Sequence, residues 1–160
     1  MTTLKEGDKA PDIDLPTDGG GRFRLGEHLG KPVVVYFYPK DDTSGCTTEA
    51  IGFTEKKADF DAMQTLVVGI SPDDCRQHDK FKAKHGLSIL LAADEEKEAA
   101  NAYGVWVEKS MYGRKYMGVD RATFLVDRNG VVARAWRKVK VPGHVDEVLD
   151  AARLVAGSSG

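Results

Sequence analysis

Apolar residues in this chain come in short, dense runs divided by polar punctuation. Residues 33–38, Val-Val-Val-Tyr-Phe-Tyr, are β-branched or aromatic throughout, which predicts a strand covered on both faces. Residues 66–71, Leu-Val-Val-Gly-Ile-Ser, have the same character. Between these runs, from about Cys46 to Met63, Phe53, Phe60 and Met63 recur at steps of seven and three, the spacing of one helix face. Pro72-Asp73-Asp74 opens a second helix that runs to His85, with Gly86 as its stop. A short strand at 88–91, a helix over 95–103 ended near Gly104, and a hairpin tip at 111–117 around Gly113 come next. Strands at 122–126 and 131–137 flank Asp127-Arg128-Asn129-Gly130, whose Asn-Gly pair is a strong hairpin signal. Val145, Val148, Leu149, Ala152 and Val155 form the apolar face of a last helix. Ahead of all this, residues 8–12 and 16–21 are turn-rich, and the second stretch closes a hairpin ending in 22–25. Its three glycines read as a turn, because neither G-x-G-x-x-G nor a following Lys-Ser or Lys-Thr accompanies them.

This order predicts an α/β architecture. The first two strands pair in parallel across a helix, the late hairpin adds an antiparallel pair, and helices cover both faces of the mixed sheet. The order fits a thioredoxin-like fold with an N-terminal β-hairpin extension. The chain has 160 residues, 41% of them hydrophobic, enough for one sizeable core. Residues 1–156 are read as a single domain and 157–160 as a flexible tail or cloning scar. A net charge of −2 argues against an extended basic face for nucleic acid or an anionic membrane. Arg134, Arg137, Lys138 and Lys140 are expected at a solvated strand end. The first residues lack the apolar segment of a secretory signal, and the 33–38 run is far too short to span a bilayer. The expected location is therefore the cytoplasm. There a structural disulfide is disfavoured, so Cys46 and Cys75, the two cysteines, are candidates for reactivity. His28, His78, His85 and His144 are scattered and expected to be solvated, and no spacing suggests a metal or cofactor site.

The chemistry concentrates in residues 38–49. This segment joins the C-terminal end of a buried strand to the start of a helix, where open α/β sheets bind ligands. Cys46 falls in the first helical turn, where free amide groups and the positive dipole end lower a thiol's pKa. Gly45 admits a small substrate close to the backbone, and Thr43, three residues before Cys46, can bring its hydroxyl to the thiolate or to an oxygen of a bound substrate. Pro39 fixes the loop exit and helps exclude water. The plainer reading makes Cys46 a small buried hydrophobe and Thr43 a helix cap. Cys-x-x-Cys chemistry is disfavoured by Glu49 at the third position after Cys46, and Cys-x₅-Arg phosphatase chemistry by Gly52 at the sixth. Trp106 and Trp136 read as core or pocket-wall residues. A redox-sensing binding module on the same scaffold is the non-enzymatic alternative.

Pro39, Thr43 and Cys46 together resemble the active-site signature of the peroxiredoxins. Residues 34–41, Gly45-Cys46-Thr47, Gly69-Ile70-Ser71, Tyr103-Gly104-Val105-Trp106, Glu108-Lys109-Ser110 and 121–127 are similar to the bacterioferritin-comigratory, or peroxiredoxin Q, branch. The likeness runs from about Lys5 to Leu154. It implies a thiol peroxidase acting on hydrogen peroxide and organic hydroperoxides, without cofactor or metal. In that reading Cys46 is the peroxidatic cysteine and Thr43 bonds the peroxide and the thiolate. Arg121 adds positive charge beside the sulfur, and Pro39 shields the pocket. Glu49 orients Arg121 or a proton-bearing water, or simply complements the helix dipole. The resulting sulfenic acid must be resolved by another thiol. Where many relatives carry a resolving cysteine this chain has Ile51, and near the other known place it has Lys82. Cys75 is the remaining internal candidate, and the alternative is an external thiol. The resemblance further implies thioredoxin or glutaredoxin as reductant and a monomer or weak dimer.

Overall fold

The structure is a computed structural model and describes residues 4–157. The tail assigned to 157–160 lies, beyond Gly157, outside the described residues. An N-terminal ribbon pairs β1 (Asp14–Pro16) with β2 (Arg22–Arg24). Then come β3 (Val33–Phe37), α1 (Ser44–Glu55), α2 (Lys57–Ala62), β4 (Leu66–Ser71), α3 (Cys75–His85) and β5 (Leu90–Ala93). A short α4 (Glu98–Ala102) leads to a second ribbon of β6 (Trp106–Met111) and β7 (Arg114–Val119). The chain closes with β8 (Ala122–Val126), β9 (Val132–Trp136) and α5 (His144–Gly157).

The main sheet has the order β5-β4-β3-β8-β9. β3 is its centre, parallel to β4 and antiparallel to β8, and all five of its residues are buried. That is why a run without polar alternation folds there. Successive side chains of a strand point to opposite faces, and each face has its own hydrophobic layer. Val33, Val35 and Phe37 pack with Ile13, Leu15, Phe23, Ala99, Ala100 and Tyr103, beneath the N-terminal ribbon and α4. Val34, Tyr36 and Tyr38 pack with Cys46, Phe53, Phe60, Phe81 and Leu149, beneath α1, α2, α3 and α5. The reactive-cysteine candidate thus faces the layer that carries most of the helices.

The two edges of this sheet are occupied by the chain's own leading segment. Along β9, Gly7 donates to the Val132 carbonyl at 2.8 Å and Val132 donates to that of Asp8 at 2.9 Å, and Lys9 bridges Val131. Along β5, Thr17 bridges Ala92 and the Asp18 carboxylate accepts the Leu91 amide at 2.9 Å.

Three expected elements differ in extent. The helix expected from Cys46 to Met63 is broken at Lys56, whose carbonyl accepts from both Asp59 and Phe60. The short strand lies at Leu90–Ala93 rather than 88–91. The helix expected over 95–103 is only Glu98–Ala102, because Lys97 takes a left-handed conformation (φ 58°) and the Asp94 carboxylate collects the Ala99 and Ala100 amides. No described helix is long and apolar enough to cross a membrane.

Candidate active site

β3 ends at Phe37, and Tyr38 still bonds the sheet through the Ile70 carbonyl at 3.0 Å. Pro39 stops the strand because it offers no N–H, and its ring is exposed at the loop exit. Residues 40–43 then turn the chain into α1, with Thr43 as N-cap in an extended conformation. The Thr43 side chain caps nothing. Its hydroxyl donates instead to the Lys40 carbonyl at 2.9 Å. The first helical bond runs from the Thr47 amide to the Thr43 carbonyl. The amides of Ser44, Gly45 and Cys46 therefore lack helical partners, and no acidic side chain neutralises that turn. Cys46 sits in it, 1% exposed, as a free thiol.

From across the sheet, Arg121 enters just ahead of β8. One guanidinium nitrogen, Nη2, lies 3.2 Å from Cys46 Sγ, and the other, Nη1, donates to Glu49 Oε1 at 2.6 Å. Gly45 makes this approach feasible, because a Cβ there would stand 3.2 Å from Nη2. Glu49, one turn after Cys46, is fully buried. Burial pushes its carboxyl up to about 7, with the Arg121 guanidinium pulling against that shift. Burial also works against the charge of Arg121, but Glu49 and Cys46 outweigh it and raise its pKa. Glu49 Oε2 and the Tyr36 hydroxyl are buried without a partner among the described residues.

The predicted residues thus fall into two groups. Cys46, Glu49 and Arg121 are joined directly, and of the readings open for Glu49 the contact with Arg121 is the one present. Thr43 and Pro39 flank the helix start without bonding the sulfur. The single hydroxyl proton of Thr43 goes to Lys40, so the expected Thr43–thiolate bond is not made. Cys75 is the first residue of α3, a half-buried free thiol. Burial, then the negative charges of Asp79, Glu95, Asp18 and Asp74, raises its pKa. Lys82 is an ion-pair partner of Asp18 at 2.6 Å.

The histidine expectation fails twice. His78 is fully buried between Asp41 and the Ala92 carbonyl. His144 is 2% exposed and bonds the Thr123 hydroxyl at 2.8 Å. Burial lowers the pKa of His144. Of the basic cluster, Arg137 is not a solvated strand end either, since its guanidinium donates to the Leu4 carbonyl at 2.7 Å and lies over Phe124. Sequence reasoning missed Asp41 and His78 as a pair, although Asp41 sits inside the very segment that carries the chemistry. Among the described residues no group of three or more His, Cys, Asp or Glu side chains could hold a metal ion.

Chemically, this is a sulfur surrounded by fixed donors. A guanidinium and free amides stabilise a thiolate, and equally a charge developing on an oxygen bound beside it, without reorganising. Residues 6–135 match the AhpC/TSA family. The chain is 46% identical over 147 residues to peroxiredoxin Bcp of Bacillus subtilis, covering 92% of this chain and 94% of that one. Among solved structures, Xanthomonas campestris peroxiredoxin Q superposes with a TM-score of 0.86 at 42% identity, covering 90% of this chain and 91% of that one. A Xylella fastidiosa PrxQ mutant gives a TM-score of 0.91 at 34% identity, covering 96% and 98%. The motif around Cys46, the mixed sheet that presents it and this likeness over nearly the full length agree: the chain belongs to the AhpC/TSA family, in the Bcp or peroxiredoxin Q branch of the peroxiredoxins.

Proposed function

We propose that this chain is a thiol-dependent peroxidase that reduces hydrogen peroxide and organic hydroperoxides at Cys46. The contact that carries the reading is Arg121 Nη2 at 3.2 Å from Cys46 Sγ, at a helix start with no side-chain cap. A structure of the Xanthomonas campestris bacterioferritin comigratory protein, 42% identical, is described as giving insights into its alkyl peroxide reduction activity. The Cys46 thiolate attacks the terminal oxygen of the hydroperoxide. The O–O bond breaks, the attacked oxygen stays on sulfur with its hydrogen, the electron pair leaves on the other oxygen, and that alkoxide or hydroxide takes up a proton from water. Sulfur is oxidised to sulfenic acid and the peroxide is reduced to alcohol or water. Arg121 and the first-turn amides stabilise the charge at both ends of the step. Thr43, its own proton committed to Lys40, receives the hydroperoxide O–H on its lone pairs. Pro39, rigid at the loop exit, limits water at the mouth.

The sulfenic acid is resolved by an external thiol or by Cys75. The raised pKa of Cys75 favours the external route, because the attacking species is a thiolate. Thioredoxin or glutaredoxin would supply it, in the cytoplasm, to a protein that works as a monomer built on one domain over residues 1–156. Cys46→Ser removes the nucleophile. Peroxide consumption driven by a thioredoxin system should then fall to the rate of the enzyme-free control, and near-normal turnover refutes the assignment. One equivalent of peroxide followed by intact-mass measurement separates the two resolution routes. A sulfenic acid trapped by a dione reagent supports the external thiol, and loss of two hydrogens without added oxygen supports a Cys46–Cys75 disulfide.

A further inference from the structure

We propose that His78 is a positioning residue for Cys46, a buried cation on α3 that clamps Asp41 and, through it, the loop leading into α1. The inference rests on Cys46 being the reacting sulfur.

His78 is fully buried, and both its ring nitrogens face acceptors. Nε2 lies 2.9 Å from the Ala92 carbonyl, which can only accept, so this nitrogen carries a proton. Nδ1 lies 2.6 Å from Asp41 Oδ2. With the carboxylate as acceptor, both nitrogens donate and the ring is an imidazolium. Burial opposes that charge, but the hydrogen bond to Asp41 and its negative charge raise the His78 pKa on balance.

Asp41 is held from two further directions, and its neighbour Asp42 is held as well. The Tyr38 hydroxyl, at the end of β3, donates to Oδ1 at 2.5 Å. The Asp41 amide donates to Asp73 Oδ2 at 2.7 Å, an oxygen that also accepts from the Ser71 hydroxyl. The next residue, Asp42, stands in the left-handed region (φ 61°), and its carboxylate accepts from Lys84 Nζ at 2.7 Å and His85 Nε2 at 2.8 Å. Lys84 and His85 belong to the last turn of α3. One helix thus holds two consecutive loop residues, one of them in a conformation that other residue types rarely adopt.

The α1 start, with Cys46 and its free amides, follows within five residues of Asp41. None of these groups bonds Cys46, Glu49 or Arg121, so the network takes no direct part in the chemistry. A buried ion pair is also a poor source of stability, since desolvation offsets much of the attraction. What it supplies is a fixed position for the loop, and a nucleophile misplaced by about 1 Å loses rate steeply.

The test compares wild type with His78→Gln and with Asp41→Asn/His78→Gln. The double variant substitutes a neutral pair of similar shape and leaves no unpaired buried charge, so it is the one expected to fold. Leu87→Ala serves as the stability control, because Leu87 packs in the same hydrophobic layer and has no bond to the loop. Stopped-flow tryptophan fluorescence reads the second-order oxidation of Cys46 by hydrogen peroxide, and thermal denaturation reads stability. The double variant should react at least tenfold more slowly than wild type, while Leu87→Ala, comparably destabilised, stays within twofold. A double variant that keeps the wild-type rate overturns the clamp. Nitrogen-15 NMR of the wild-type ring gives a readout independent of any variant. Two protonated nitrogens on His78 at pH 7.5 support the imidazolium, and one protonated nitrogen overturns it. The peroxidase reading fails differently, by wild type showing no oxidation of Cys46 at all.

Discussion

At Gly45, a missing side chain leaves the Arg121 guanidinium room to reach sulfur. Gly45→Ala would place a methyl group 3.2 Å from Nη2 and 3.9 Å from a Val141 methyl. Helix propensity by itself favours the alanine, by up to about 1 kcal/mol, so stability should hold while the guanidinium is pushed aside. The expected result is an unchanged or higher melting temperature with peroxide reactivity lower by about tenfold, short of the ~10²-fold typical of losing a donor outright. Steady rates in the variant would mean that Arg121 does not act on the sulfur. Glu49 gives a second residue-scale test. Its carboxyl titrates near 4.5 when free and about 7 when folded, because it is buried. Between those values the folded chain binds more protons than the unfolded one, so this group makes stability fall as pH rises. His78, raised, adds to that fall, and His144, lowered, opposes it. Subtracting wild type from Glu49→Gln isolates the one group: the variant's melting temperature should gain on wild type from pH 5 to 7.5. A pH-independent difference would contradict the assignment. Cys46 and Arg121 were legible in the sequence because the family pattern carries them. The burial of His78 and His144 was not, since it depends on partners 37 and 21 residues away.

Among the elements, α1 and α5 meet at a glycine. A Cβ at Gly52 would stand 2.9 Å from a Val145 methyl, and a β-branched side chain in a helix has almost no alternative rotamer. Gly52→Ala should therefore destabilise by about 1–3 kcal/mol, as overpacking does, against its helix propensity. Thermal denaturation decides, and a raised melting temperature would show that α5 shifts freely. Strands of dense apolar character, β3, β4 and β8, could be placed from sequence almost to the residue. The kink at Lys56 could not, because it leaves the spacing of Phe53 and Phe60 on one face, and both rings still meet, 6.0 Å apart. β5 was placed too early because it ends in Ala92 and Ala93, residues without strand preference. Their pairing with Ile70 and Ser71 of the neighbouring strand reveals them.

Across the whole molecule, the mixed sheet with both faces covered follows from the order of elements and was foreseen, whereas the division of the expected single core into two layers was not. The N-terminal hairpin was foreseen as well, but the seams of the leading segment with both sheet edges were not: apart from the Asp18 carboxylate on the Leu91 amide they are backbone pairings, which leave no mark on side-chain pattern. Removing residues 1–9 should strip the bonds that Gly7 and Asp8 make to β9. Size-exclusion chromatography should then find higher-order species that the full chain does not form, while an equally monodisperse truncated protein would refute the idea. The strap that looks like a loose preamble is on this view a guard: by pairing with the start of β9 it keeps an open strand edge from recruiting a neighbouring molecule.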